Sequence, residues 1–446
     1  MVLTPQANGL QVDIESKLCG AVLPTLTGTL TGVVNGDSIT PQYATTATTA
    51  SVVGTYPVTG QLTDPNNRLR NYDVTIVPAI LTVNKAPLVI SADAVTTQYS
   101  DPLPQLAASF EGLVLGETPA VLSGTLLLQT TATKDSGPGT YPISIGDLTS
   151  LNYSITFVAG TLTVTPEDAV VGFIAPLTVA ASPVTGSATV TLASLIKEAP
   201  ESNGGSGPSL GDIRKATLTF INRATGQTLC TAPIGLITPS DSSTGIATCT
   251  FTASAGTYIV ESRVGGWYTR DSAADDVSLS VLRANDDFVT GGGYTQLTAA
   301  AGNYAADANS RADFNLNPQY DKSGNVKGSL SLTFHRTENG SVHTYQISAS
   351  SIASLAIVRT TAGGIAWITG PASLSDVTVS KSPVIIDSNA TVFASFVDNG
   401  EPGTNDTLAL TLLTKNGGLL FSSKWNGSRT IDQTIDGGNI NVHLQN

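Results

Sequence analysis

Apolar and polar side chains alternate along most of this chain with the period of a half-buried strand. Tyr72, Val74 and Ile76 fall on one face with Asp73 and Thr75 on the other, and Tyr153, Ile155 and Phe157 repeat the pattern around Ser154 and Thr156. A second short alternation follows each run, Leu81-Thr82-Val83 and Leu162-Thr163-Val164, after a break at Pro78 or Ala159-Gly160. Each pair of runs is expected to form two strands that pair across that break. Farther on, SATVTLASLIKE, ATLTFINRATGQTLCTAPIGLIT, GIATCTFTAS and TYIVESRVGGWYT read as strands, with the loop ESNGGSGPSLGD between the first two. KGSLSLTFHR, HTYQISASSI, ATVFASFVD, DTLALTLLT and GGLLFSSKW carry the same pattern toward the C-terminus.

The first part of this pattern occurs twice. Asn71-Tyr72 returns as Asn152-Tyr153, Gly54-Thr55-Tyr56-Pro57 as Gly139-Thr140-Tyr141-Pro142, and the run from Gly32 to Asp37 as the run from Gly112 to Glu117. The offsets are 81, 85 and 80 residues, so small insertions in turns shift the register between similar segments. A period near 80 residues is too long for a solenoid unit and suits a domain that buries its own face. The joints read Lys85-Ala86-Pro87 and Thr165-Pro166-Glu167, where proline stiffens each hand-over.

At 446 residues the chain is too long for one core and implies three or four domains. Thr, Ser and Val are prominent, and β-branched residues suit pleated strands, so the expected fold class is all-β. The expected boundaries are 1–86, 87–166, 167–284 and 285–446. The first three segments read as small tandem sandwiches, and the last as a larger C-terminal β-sandwich or jelly-roll-like module. Glycine clusters at Gly291-Gly292-Gly293 and Gly437-Gly438 suggest that the first and last strands of that module approach closely.

Residues 10 to 166 resemble the bacterial MBG repeat of large secreted and surface proteins, on the strength of "NGD", "GTYP", "NY" and "GTLTV" occurring in that order. The opening Tyr-Gly of that family is replaced by Cys19-Gly20 in the first unit and by Tyr99-Ser100 in the second. The resemblance implies an Ig-like extracellular module with no known chemistry. Residues 285 onward resemble the C-terminal β-module that follows such units in bacterial surface proteins, through Thr290-Gly291-Gly292-Gly293, the stretch from Asp398 to Gly403, Trp425-Asn426-Gly427 and Gly437-Gly438-Asn439. The likeness reaches back over 167–284, a third Ig-like unit, and no activity is established for the module.

A net charge of −13 without any basic cluster disfavours nucleic acid as a partner. No apolar run approaches the roughly 18 residues of a membrane span, so no membrane insertion is expected within this chain, and MVLTPQANGLQVDIESK lacks the features of a signal peptide. The chain reads as a piece of something longer, with the repeat under way by Leu10.

Cys230 and Cys249 flank a hairpin turning through Pro239-Ser240-Asp241, which would set them opposite each other within disulfide reach. Such a bridge would contribute about 3 kcal/mol and imply an oxidising compartment; two reduced, buried thiols are the alternative. Cys19 reads as a small core residue. His335, His343 and His443 lack zinc-site spacing, although His335 and His343 could face each other across a hairpin at Glu338-Asn339-Gly340. The S-x-x-K match at Ser194 and Lys197 stands without the other elements such enzymes need.

The best candidate site is the loop with Asp398, Asn399, Glu401, Asn405 and Asp406, whose crowded oxygens suit Ca²⁺. The competing explanation is that Asp and Asn stabilise turns through their own backbone. Asp321, Ser323 and Asn325 form a weaker version. Trp267, Tyr268, Trp367 and Trp425 could stack on a sugar, with core packing as the default. The expected function is a non-catalytic structural and adhesive segment of a bacterial extracellular or cell-surface protein, meeting a surface glycan or protein. A carbohydrate- or calcium-dependent binding module appended to an upstream enzyme is the alternative.

Overall fold

In the computed structural model the chain is built from strands, and among the described residues helical turns are limited to three-residue 3-10 turns such as Leu69–Asn71 and Ile213–Lys215. The structure describes residues 6–34, 36–200, 210–284, 286–403 and 405–445. Most of the Gly- and Ser-rich loop at 201–212 therefore lies outside the described residues. The fold class is all-β, with curled sheets of the sandwich and jelly-roll kind. Two compact units divide the chain: residues 6–97, 103–133 and 139–164 form one, and residues 98–102, 134–138 and 165–445 the other.

In the first unit the chain builds the same pair of sheets twice. Gln6–Val12 lies between Gly28–Thr31 and Tyr72–Val77, while Glu15–Leu18, Ala79–Asn84, Gly54–Thr63 and Thr40–Thr45 form the facing sheet. The repeat places Ala86–Ala92 between Ala108–Glu111 and Tyr153–Val158, against a second sheet containing Gly139–Thr149 and Gly160–Thr165. The runs on either side of Pro78 therefore do not pair with each other, contrary to the expectation. Tyr72–Val77 runs parallel to Gln6–Val12 in one sheet and Ala79–Asn84 runs parallel to Glu15–Leu18 in the other. A single proline, which has no N–H to give a ladder, is too short a link for a hairpin and passes the chain from sheet to sheet.

The alternating face is also less buried than its pattern suggests. Tyr72 is buried but Val74 and Ile76 are 37% and 39% exposed, so the tyrosine alone enters the core. Its hydroxyl donates to the Asp37 carboxylate at 2.8 Å and accepts from the Val34 amide, and Tyr153 repeats this with Glu117 and Val114. This explains why "NGD" and "NY" travel together: one supplies the acceptor that satisfies the buried hydroxyl of the other. The opening turns also agree, since Gly20 and Ser100 both adopt positive φ, 77° and 72°.

The interiors are not separately sealed. Cys19 and Val83 share one apolar cluster with Ala86, Leu88, Ile90 and Tyr153, and the Val53 amide donates to Asn152 across the same seam.

In the second unit, residues 167–283 form a nine-stranded curled sheet around the fully buried Val190, Leu192, Leu218, Phe220, Val260 and Leu279. Residues 288–443 form an antiparallel sheet running from Leu419–Ser422 through Thr407–Leu413, Val384–Asp398, Gly364–Asp376, Ser341–Ala349, Leu330–Glu338, Ser310–Leu316 and Phe288–Leu297 to Gly437–His443. It curls over one large core that includes Phe334, Phe396, Phe421, Leu408 and Ile440. The glycine clusters pair as expected: a Cβ on Gly293 would meet the Gly437 carbonyl at 2.1 Å. Ala193, Leu195 and Ile246 of the first sheet pack with Phe393, Leu413 and Leu419 of the second in another shared cluster.

Candidate functional site

The loop at 398–406 is built around the backbone. Asp398 accepts from the Gly400 amide at 2.9 Å with one oxygen and from the Val442 amide at 3.0 Å with the other. Asp406 does the same for Asn399 and Ile440, both at 2.9 Å. Ile440 and Val442 belong to Gly437–His443, the last strand of the sheet, so the two aspartates supply acceptors on its free side, where an edge would otherwise present bare amides. Glu401 accepts from the Asn439 side chain at 2.9 Å, and the Asn399 side chain donates to the Asn405 carbonyl at 2.7 Å. Asp406 is 0% exposed, and that burial, with Asp398 and Glu401 nearby, holds its carboxyl above the usual range although two amides pull it down. Among the described residues no group of three or more His, Cys, Asp or Glu is placed to hold a metal ion. Turn and edge bonding thus engages the side chains of Asp398, Asn399, Glu401 and Asp406, and the backbone carbonyl of Asn405.

The weaker loop behaves likewise. Asp321 accepts from the Asn325 and Ser323 amides and pairs with Lys327 at 3.1 Å, and these bonds hold its carboxyl below the ordinary range.

Cys230 and Cys249 are joined in a disulfide. The hairpin expected to align them is shifted: its ladder pairs Ile234 with Ala247, and Cys230 lies opposite Phe220 while Cys249 lies opposite Leu192. The bridge sits where the two strands part to join different neighbours, and it ties those neighbours together. Cys19 is free and buried. His335 and His343 do not face each other: His335 pairs with Thr344 and His343 with Arg336, so the imidazoles lie on opposite faces. The turn between them is Asn339-Gly340, both at positive φ, as a two-residue hairpin requires. Ser194 is buried against Ser262 while Lys197 is exposed, because residues three apart on a strand point to opposite faces.

The aromatic candidates separate sharply. Tyr268 is buried with its hydroxyl on Glu198, Trp267 packs edge-on to Tyr99 at 4.9 Å beneath Lys215, and Trp425 joins the shared apolar cluster. Trp367 is different. Its neighbours Ala366 and Ile368 point into the large core, so Trp367 points out of the sheet, beside its cross-strand partners Ser395 and then Ala409. These small residues leave space. A recess of about 540 Å³ opens there, walled by Phe173–Thr178 and Val277 on one side and by Thr411 and Arg429–Asp432 on the other. Ser395 donates to Asp432 at 2.9 Å. The sequence signal that could have found it is the tryptophan between two core positions of a central strand.

The paired sheets, the Tyr–carboxylate contacts and the positive-φ opening turns recur in the order of one motif set, and two segments, residues 10–82 and 88–163, match the model of the MBG domain (YGX type). They are tandem MBG domains. MBG domains are repeat domains found in surface and secreted proteins. None of the curated proteins compared with the chain is a match. No helix among the described residues is long and apolar enough to cross a membrane.

Proposed function

We propose that the chain is a non-catalytic segment of a bacterial extracellular or cell-surface protein, whose MBG domains act as spacers and whose C-terminal module makes the attachment. The carrying observation is the pair of consecutive MBG domains. The Cys230–Cys249 bridge supports it, because disulfides persist in oxidising compartments. The fate of the polar groups supports it too, since the acids at 37, 117, 398 and 406 are bonded to tyrosine hydroxyls and backbone amides rather than gathered around a cleft.

The test is protease shaving of intact producing cells combined with alkylation of free thiols. Peptides from this chain released from unbroken cells, with Cys230 and Cys249 protected from alkylation, are expected. Peptides recovered only after lysis, with both thiols alkylated, would overturn the proposal. Cells displaying the chain without residues 285–446 should lose attachment while keeping surface exposure.

A further inference from the structure

We propose that the recess at Trp367 binds a neutral pyranose saccharide, one or two sugar units at a time. This rests on the attachment reading above and names the class of its ligand.

The volume, about 540 Å³, lies within the roughly 300–1,000 Å³ typical of small-ligand sites. Its composition narrows the class. Trp367 lines the recess half-buried and is in none of the ring–ring contacts among the described residues, and a pyranose presents a patch of C–H bonds suited to an aromatic face. Around it stand groups that hydrogen-bond hydroxyls: Asp432, held by Ser395, and the guanidinium of Arg429, with Thr411 and Thr430 behind them. Among the described residues neither Arg429 nor Asp432 is in an ion pair. One positive and one negative group at the rim favour an uncharged ligand over an acidic or a basic one.

A peptide strand is a poorer occupant. The floor is formed by Gly364–Asp376, Val384–Asp398 and Thr407–Leu413, each paired on both sides within the sheet, so no backbone edge is open for strand addition. Recognition here must run through side chains, which suits a polyhydroxylated ring.

The experiment applies the full chain to an array of neutral gluco-, galacto- and manno-configured oligosaccharides beside uronic-acid-containing ones. Hits are then titrated by saturation-transfer NMR and tryptophan fluorescence. At least one neutral series is expected to bind with millimolar or tighter affinity. Trp367→Ala, Arg429→Ala and Asp432→Ala should each weaken it at least about tenfold, and Trp367→Phe should retain part of it. Arg429 and Asp432 are exposed, so their variants keep the fold even if Trp367→Ala does not. No neutral glycan bound, preference for acidic glycans, or binding indifferent to Arg429→Ala and Asp432→Ala would each overturn the proposal. Surface shaving and the attachment of cells lacking residues 285–446 read the proposed function independently, so a glycan-blind chain that is on the cell surface and still supports attachment would sink this inference alone.

Discussion

The loop at 398–406 and the recess beside Trp367 hold similar side chains and employ them in opposite ways. In the loop, both oxygens of Asp398 and both of Asp406 accept backbone amides, and the reward is a sheet whose last strand carries no bare amides at Ile440 and Val442. In the recess, Asp432 has one hydroxyl partner and Arg429 faces solvent. The density of oxygens in the sequence pointed to the loop, but what marks a place where a ligand can enter is donors and acceptors not already satisfied by the fold.

Removing the committed acid should have the largest effect. Asp406→Ala leaves the buried Ile440 amide without an acceptor, at about 1–3 kcal/mol, and removes the bond to the amide of exposed Asn399, at about 1 kcal/mol, so a loss of up to about 4 kcal/mol is expected in chemical unfolding of the C-terminal module. Hydrogen exchange supplies the local readout: protection at Ile440 should collapse while that at Val442, held by Asp398, persists longer. Unchanged exchange at Ile440 would break the comparison at its stronger end.

The next effect concerns the bridge. Replacing Cys230 and Cys249 together by serine should cost about 3 kcal/mol by the chain-entropy argument for a loop of this size. Because Cys230 stays beside Phe220 and Cys249 beside Leu192, loss of the bridge should loosen the parting of those strands first, which exchange of the segment around Ile234 would report.

How far the sequence foretold this depends on whether the relevant partner is near in the chain. The alternation around Tyr72 and Tyr153 gave strands, and the order of short motifs gave the repeat, because both are local. Local pattern assigns a side chain to a face; it does not say which strand lies alongside. That is why the break at Pro78 read as a hairpin, when the partners of the two runs are Gln6–Val12 and Glu15–Leu18 at the other end of the domain. The acids at 398 and 406 were visible as a cluster, but one of the two amides that each accepts lies in the strand beginning at Gly437. The recess required the register of three strands at once, since Trp367, Ser395 and Ala409 are neighbours only across the ladder. The shared cluster of Cys19 and Val83 with Ala86, Leu88 and Ile90 escaped for the same reason.

Between the extremes stands Asp376, which accepts from the hydroxyl and amide of Thr378 and pairs with His343 at 2.7 Å. The Thr378 hydroxyl leads in holding this carboxyl below its ordinary range. A depressed folded value means stability that is present above the unfolded value, near about 3.9, and lost as pH falls through the folded one. Asp376→Asn should therefore cost less than about 1 kcal/mol at neutral pH, and its difference from the parent should shrink once the pH drops below about 4. A difference that grows in acid would reverse the sign of this assignment.

Asp432 completes the series with the smallest expected effect. Its carboxylate is exposed and bonds one hydroxyl, that of Ser395, which water can replace when the acid is removed. Asp432→Ala should therefore leave the unfolding midpoint within the equivalent of about 0.5 kcal/mol of the parent, as surface substitutions away from packed features do. The contrast with Asp406→Ala is the informative quantity: two aspartates of one module, one that the fold requires and one that it can lose at almost no cost. If Asp432→Ala instead destabilised the module as much as Asp376→Asn, its carboxylate would belong to the scaffold, and the recess would have to be read as packing between strands rather than as groups held ready for a ligand.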